Sequence, residues 1–167
     1  MVLIDSKSRF SDKSFQTSSV NKILFVCLGN ICRSPAAEGI LSQKLSEQGL
    51  VRGQDFIVDS AGTNAWVDSH PDVRSQQVCQ EHGIDISGQV GRKLTSQDGQ
   101  NFDYLYCMND SNVTRAKIII PSEYHNKIKL INGSEISDPY LSGADGFEKM
   151  YSQLDRAIDG IIPIIVS

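Results

Sequence analysis

Apolar positions along the chain change period several times, and the changes mark out its elements. The first sustained run is Ile23-Leu24-Phe25-Val26. Four apolar residues without alternation predict a strand buried on both faces, as in a parallel sheet. The period then becomes helical. From Pro35 to about Gln48, residues Ala37, Ile40, Leu41 and Leu45 share a face, Lys44 can run its stem along the edge, and Gly49 suits the end of the helix. A second strand is expected over 56–59, with Ser60-Ala61-Gly62-Thr63 turning out of it into an irregular loop around the only tryptophan, Trp66.

A helix over 72–82 follows, with Val73, Gln77 and Val78 on one face and Gly83 at its end. Thr95 is a candidate cap for a short turn, and Phe102 to Met108 reads as a third strand. Ser111 is placed to cap a helix running to about Ile119, before Pro121, and residues 127–130 suit a short fourth strand. Phe147, Met150, Tyr151, Leu154 and Ile158 line one side of a last helix, from Phe147 to about Ile162, which Pro163 is expected to end or kink. Strands alternating with helices predict an α/β fold: a parallel sheet with helices on both faces, a three-layer αβα sandwich. Residues 1–20 are polar and Ser-rich without a period. They read as a flexible extension before a single domain over 21–167.

Composition narrows the function. The chain has 167 residues, enough for one domain with a substantial core. Its net charge is −4 and its pI about 5.3, which argues against general nucleic-acid or anionic-membrane binding. No stretch of about 20 apolar residues suits a membrane span, and Met1 to Ile4 is too short for the apolar core of a signal peptide. Four cysteines in a chain this size need not be disulfides, so a reducing, cytoplasmic setting is expected.

The candidate chemistry lies just after the first strand, in Cys27-Leu28-Gly29-Asn30-Ile31-Cys32-Arg33-Ser34-Pro35. Ser34 suits a helix cap and Pro35 the first helical position. A tight loop between a strand and a helix N-terminus gathers backbone N–H groups around one spot, which makes an anion site after strand 1. Gly29 permits a strained backbone and Asn30 can brace it. Loop donors and the helix end favour a thiolate at Cys27, and Arg33 offers a planar fork to two phosphate oxygens. A nucleophile and an oxyanion clamp are the parts of covalent phosphoryl transfer. A zinc site at Cys27 and Cys32 is disfavoured, since no second Cys/His pair with ligand spacing follows, so no metal is expected.

With these residues in place the sequence resembles the low-molecular-weight protein tyrosine phosphatases. The C-x5-R-S loop at Cys27 to Ser34 carries the match, joined by Asp59-Ser60-Ala61-Gly62, by Phe102-Asp103-Tyr104 through Cys107-Met108, and by Asp138-Pro139-Tyr140. The resemblance runs from about Lys22 to the C-terminus. It implies a four-stranded parallel sheet and hydrolysis of phosphotyrosine monoesters through a phosphocysteine at Cys27. Arg33 would bind the equatorial oxygens, and Asp138 would act first as acid, then as base. It further implies Asn30 bracing the loop with Ser60 and His82 as partners, Ser34 donating to the Cys27 sulfur, and Trp66 and Tyr140 walling the substrate pocket. Cys32 would be a resolving thiol that forms a disulfide with Cys27 on oxidation. Cys79 and Cys107 belong to the core. Many members carry a second aromatic after the Asp-Pro-Tyr, where this chain has Leu141.

The implied partners are phosphotyrosine-containing proteins, with phosphate or vanadate as inhibitory anions, no cofactor and a monomeric enzyme. Two other readings compete. An arsenate reductase of the same fold would need two later relay cysteines, yet Thr114 stands where the partner of Cys107 would be. A non-catalytic phosphotyrosine-binding module would be expected to have lost Cys27, Arg33 or Asp138, and all three are present.

Overall fold

The computed structural model describes residues 20–166; the expected extension lies almost wholly outside them. Four parallel strands form one sheet in the order β2-β1-β3-β4: β1 (Asn21–Cys27), β2 (Phe56–Gly62), β3 (Tyr104–Cys107) and β4 (Ile128–Leu130). Between them run α1 (Arg33–Glu47), α2 (Val73–Glu81), α3 (Gln97–Asn101) and α4 (Asp110–Ile119), and α5 (Ala144–Ile165) closes the chain.

The β1 run is central, and Ile23 to Val26 are fully buried. Alternate side chains divide two cores between them. Ile23, Phe25 and Cys27 face α1, α2 and α5, whereas Leu24 and Val26 face Leu94, Phe102, Leu105 and the α4 residue Ala116. The αβα layering thus follows from one strand with two apolar faces. Lys44 pairs with Asp155 and Asp159 on α5, both at 2.9 Å, and so fixes the edge of the α1–α5 packing.

Several boundaries differ from expectation. β2 continues to Gly62 instead of turning at Ser60, because Ser60, Ala61 and Gly62 pair in register with Phe25, Val26 and Cys27. A side chain at Gly62 would bring its Cβ within 2.7 Å of the Leu28 carbonyl. α1 begins at Arg33, with Cys32 as its cap residue, two positions before the expected start. Pro35 is tolerated there because the first-turn N–H groups have no helical partner. α4 is capped by Asn109 in a reciprocal box with Asn112, not by Ser111, whose hydroxyl donates to Asn109 at 2.9 Å. Val73 is exposed, so α2 buries Ser75, Val78 and Cys79 instead of a stripe through Val73.

Pro163 lies inside α5. The helix carries on to bury Ile165, and the Val166 N–H still reaches the Ile162 carbonyl at 3.1 Å. Pro163 is exposed in the last turn, where the hydrogen bond it forgoes can be replaced by water.

Candidate active site

Cys27 ends the central strand, and the chain turns immediately through a tight loop into α1. Asn30 makes that turn with φ of 59°, a left-handed conformation that Asn tolerates better than most residues. The loop folds back on the Cys27 sulfur. Asn30 N–H points at Cys27 Sγ at 3.3 Å, and Ser34 Oγ lies 3.0 Å from the same sulfur. Two donors and the N-terminus of α1 therefore converge on one buried atom.

Asn30 is itself held on three sides. Its Nδ2 donates to Ser34 Oγ at 2.9 Å and to Ser60 Oγ at 3.0 Å, while its Oδ1 accepts the Arg92 backbone N–H at 2.9 Å. Ser60 passes the chain on to Glu38 Oε1 at 2.8 Å, and Arg52 closes it at Glu38 Oε2 at 2.7 Å. Burial pushes the Glu38 carboxyl above its ordinary value, against the opposing donors Arg52 and Ser60. Arg92 is fixed by Asp59 at 3.0 Å and by both oxygens of Asp98.

The expected partnership of Asn30 with His82 is not formed. His82 follows α2, stacks on Tyr151 with centroids 3.9 Å apart, and meets Glu148 at 3.2 Å. The Arg92 main chain takes the place given to it. Ser60 is a partner as expected. Ser34 is not the helix cap; its hydroxyl serves Cys27 and Asn30 instead.

Arg33 is the first residue of α1 and is buried. Its guanidinium donates to the Ile136 carbonyl at 3.2 Å and stands 3.5 Å from Asp138 Oδ2. Asp138 is half exposed, in the segment between β4 and α5. Its Oδ1 accepts the Tyr140 N–H at 3.1 Å in a local turn across Pro139. One cleft is lined by Cys27, Leu28, Gly29, Ile31, Cys32, Arg33, Asn64, Trp66, Asp138 and Tyr140. Of the expected site residues, those with chemistry or pocket roles thus share it, while Asn30, Ser34 and Ser60 support it from beneath.

Trp66 reaches the rim because its N–H donates to the Gly29 carbonyl at 3.0 Å, and its ring lies against Gly29, where a Cβ would come within 3.2 Å. It faces Tyr140 at a centroid distance of 6.0 Å and an angle of 56°. The two rings are exposed at the mouth of the cleft and give it an aromatic wall above the loop that follows β1.

All four cysteines are free and buried. Cys79 and Cys107 sit in the core, and burial pushes each thiol up to about 12. The Cys32 thiol is also pushed up, first by burial and then by the nearby Asp72 carboxylate.

Three supporting residues escaped the sequence reading: Glu38, Arg52 and Arg92. Glu38 left a trace, since it falls four residues after Ser34 on the buried face of α1, where a lone carboxylate is out of place. Arg92 left none, because the group that it contributes to Asn30 is a main-chain N–H.

Known proteins are similar to this chain in sequence and in fold. A phosphatase from Schizosaccharomyces pombe is 39% identical over 141 residues, covering 80% of this chain and 89% of that one. The Erwinia amylovora tyrosine phosphatase amsI superposes with a TM-score of 0.80 at 31% identity, covering 92% of this chain and 99% of the other. Vibrio vulnificus Wzb, solved in complex with benzylphosphonate, gives 0.75 at 29% identity, covering 84% and 96%. Residues 22–164 match the model of the low molecular weight phosphotyrosine protein phosphatases, and the chain belongs to that family.

Proposed function

We propose that this protein hydrolyses phosphotyrosine monoesters through a phosphocysteine on Cys27. The observation that carries the reading is the convergence of Asn30 N–H and Ser34 Oγ on Cys27 Sγ, at the floor of a cleft that also holds Arg33 and Asp138. A sulfur supplied with donors is a nucleophile in one step and a stabilised leaving group in the next.

In the first step Cys27 Sγ attacks phosphorus and the bond to the tyrosyl oxygen breaks, with Asp138 giving that oxygen a proton. In the second, the Asp138 carboxylate takes a proton from water, the water oxygen attacks phosphorus, and the S–P bond breaks to release phosphate and return the thiolate. Arg33 supplies charge and a two-pronged fork to the phosphoryl oxygens, which in the free enzyme are replaced by Asp138 and the Ile136 carbonyl. Trp66 and Tyr140 select an aryl group by offering it aromatic faces at the mouth of the cleft. The benzylphosphonate bound by Wzb has this chemistry, a ring joined to a tetrahedral anion.

Phosphotyrosine-containing proteins are the substrates on this reading, and phosphate and vanadate are inhibitory anions for the same loop. Cys32 is the resolving thiol: a sulfenic acid on Cys27 condenses with it to a disulfide and releases water. Among the described residues no helix is long and apolar enough to cross a membrane, which fits action on proteins in the cytoplasm.

The test is turnover of p-nitrophenyl phosphate at mildly acidic pH. Cys27→Ser is expected to abolish it while vanadate still binds, and hydrolysis retained in that variant would remove the nucleophile. Asp138→Ala is expected to slow poor leaving groups most. Arsenate reduction would need a second relay cysteine. Cys107 is fully buried, and Thr114 follows it on α4.

A further inference from the structure

Arg74 does not line the cleft, yet it holds the segment that carries Asp138. Its Nη2 donates to the Tyr140 carbonyl and its Nη1 to the Ser142 carbonyl, both at 3.1 Å. Among the described residues, these are the side-chain hydrogen bonds that reach 139–143 from another element. Upstream of Asp138 the segment is fixed separately, by Ile136 N–H on the Met108 carbonyl at 2.7 Å and Ser137 N–H on Gln153 at 2.9 Å.

The guanidinium is fixed from behind. Asp72 accepts its Nε at 3.0 Å and its Nη2 at 2.8 Å. It lies over the Phe147 ring at 4.5 Å and beside the Tyr140 ring at 5.7 Å. Asp72 also caps α2, and its own N–H donates to the Ile31 carbonyl of the phosphate loop at 2.8 Å. One turn on, the Ser75 hydroxyl donates to the Cys32 carbonyl at 2.9 Å. The first turn of α2 is therefore bolted to the nucleophile's loop on one side and to the acid's segment on the other.

We propose that Arg74 is a positioning residue for the general acid: by gripping the Tyr140 and Ser142 carbonyls it sets where Asp138 stands relative to Cys27. The proposal rests on the phosphatase reading above. The Arg74 end of its pair with Asp72 is open to solvent, which limits what the pair adds to stability, and the grip on the two carbonyls acts on geometry. Its effect is local because a planar fork can span two carbonyls that a single ammonium cannot. A general acid out of place by an ångström loses much of its effect, most of all on substrates whose leaving group needs the proton.

The experiment is a double-mutant cycle between Arg74→Ala and Asp138→Ala, read as kcat/KM on phenyl phosphate and p-nitrophenyl phosphate. Arg74→Ala is expected to cost about tenfold on phenyl phosphate and less than about threefold on the nitrophenyl ester. In the Asp138→Ala background it is expected to cost nothing further. Arg74→Lys, which keeps the charge without the fork, should lie between and covers the case of a poorly folded alanine variant. Inhibition by inorganic phosphate should change by less than about twofold, since the loop that binds it is intact. Additive losses in the double variant, equal losses on both esters, or full activity in Arg74→Lys would overturn the role of Arg74. No turnover by the unaltered protein would instead overturn the reading of the site.

Discussion

The Ser34 hydroxyl lies 3.0 Å from the Cys27 sulfur, and Asn30 decides which way its proton points. The Arg92 main-chain N–H can only donate, so it fixes Asn30 Oδ1 as acceptor and turns Nδ2 toward Ser34 and Ser60. Ser34 Oγ therefore accepts from Asn30, and its own proton is left for the sulfur. Asn30→Ala is expected to lower kcat/KM on the order of a hundredfold and to cost about 3 kcal/mol of stability, because the buried Ser34 and Ser60 hydroxyls and the half-buried Arg92 N–H each lose a hydrogen bond. Steady-state kinetics and urea unfolding check both figures.

Glu38 gives the protein a pH signature in its stability. Burial raises its carboxyl above the ordinary value, so between that value and the folded one the native state holds a proton that the unfolded chain has released. Its stabilising contribution is complete below the ordinary carboxyl range and is lost as pH rises toward the folded value. Glu38→Gln removes the titration. The stability difference between wild type and variant should fall with rising pH just above the carboxylate range and then level off. A difference that stays flat or rises across pH 4 to 7 in urea titrations would contradict the assignment.

On the proposed function, Trp66 acts on the ring of the substrate and not on its phosphoryl group. Trp66→Ala is expected to reduce kcat/KM for aryl phosphates by roughly tenfold and for alkyl phosphates much less, since stacking on an aromatic wall contributes about 1 kcal/mol beyond area burial. An equal loss on both classes would mean that the variant has disturbed the phosphate loop, against which the ring packs through Gly29.

Peroxide distinguishes a guard thiol from a packed one. Wild type is expected to lose activity, gain a Cys27–Cys32 disulfide detectable by mass, and recover with dithiothreitol. Cys32→Ser is expected to recover much less, as the Cys27 sulfenic acid proceeds to sulfinic acid. Equal recovery in the two proteins would leave Cys32 as a buried packing residue only.

How much of this was legible in the sequence depended on how local the signal was. β1, the tight loop after it and the apolar face of α5 are written in consecutive or regularly spaced residues, and the structure reproduces them. The error at Ser34 is instructive. A Ser-Pro pair is a local cap signal, but here the hydroxyl is claimed by Cys27 and Asn30, a contact that a cap rule does not contain. β2 was read short because Ser60 and Gly62 look like turn residues until Phe25 and Cys27 are known to be their partners. His82 misled for a similar reason: its nearest ring is Tyr151 on α5, nearly seventy positions away in the chain. Pro163 follows its rule in kind but not in effect, since the helix needs only two more residues to bury Ile165.

Cys27 closes the central strand, paired to Gly62 on one side and directly after Val26, which pairs with Cys107, on the other. Asp138 stands on an irregular segment that is half open to water. Local unfolding draws first on segments with few buried contacts and last on central strands. The two chemical groups thus belong to regions of unequal durability, and warming is expected to separate them. On the proposed function, the acid is released while the sulfur is still mounted in its cradle, so a molecule that no longer turns over would still capture phosphate-like anions.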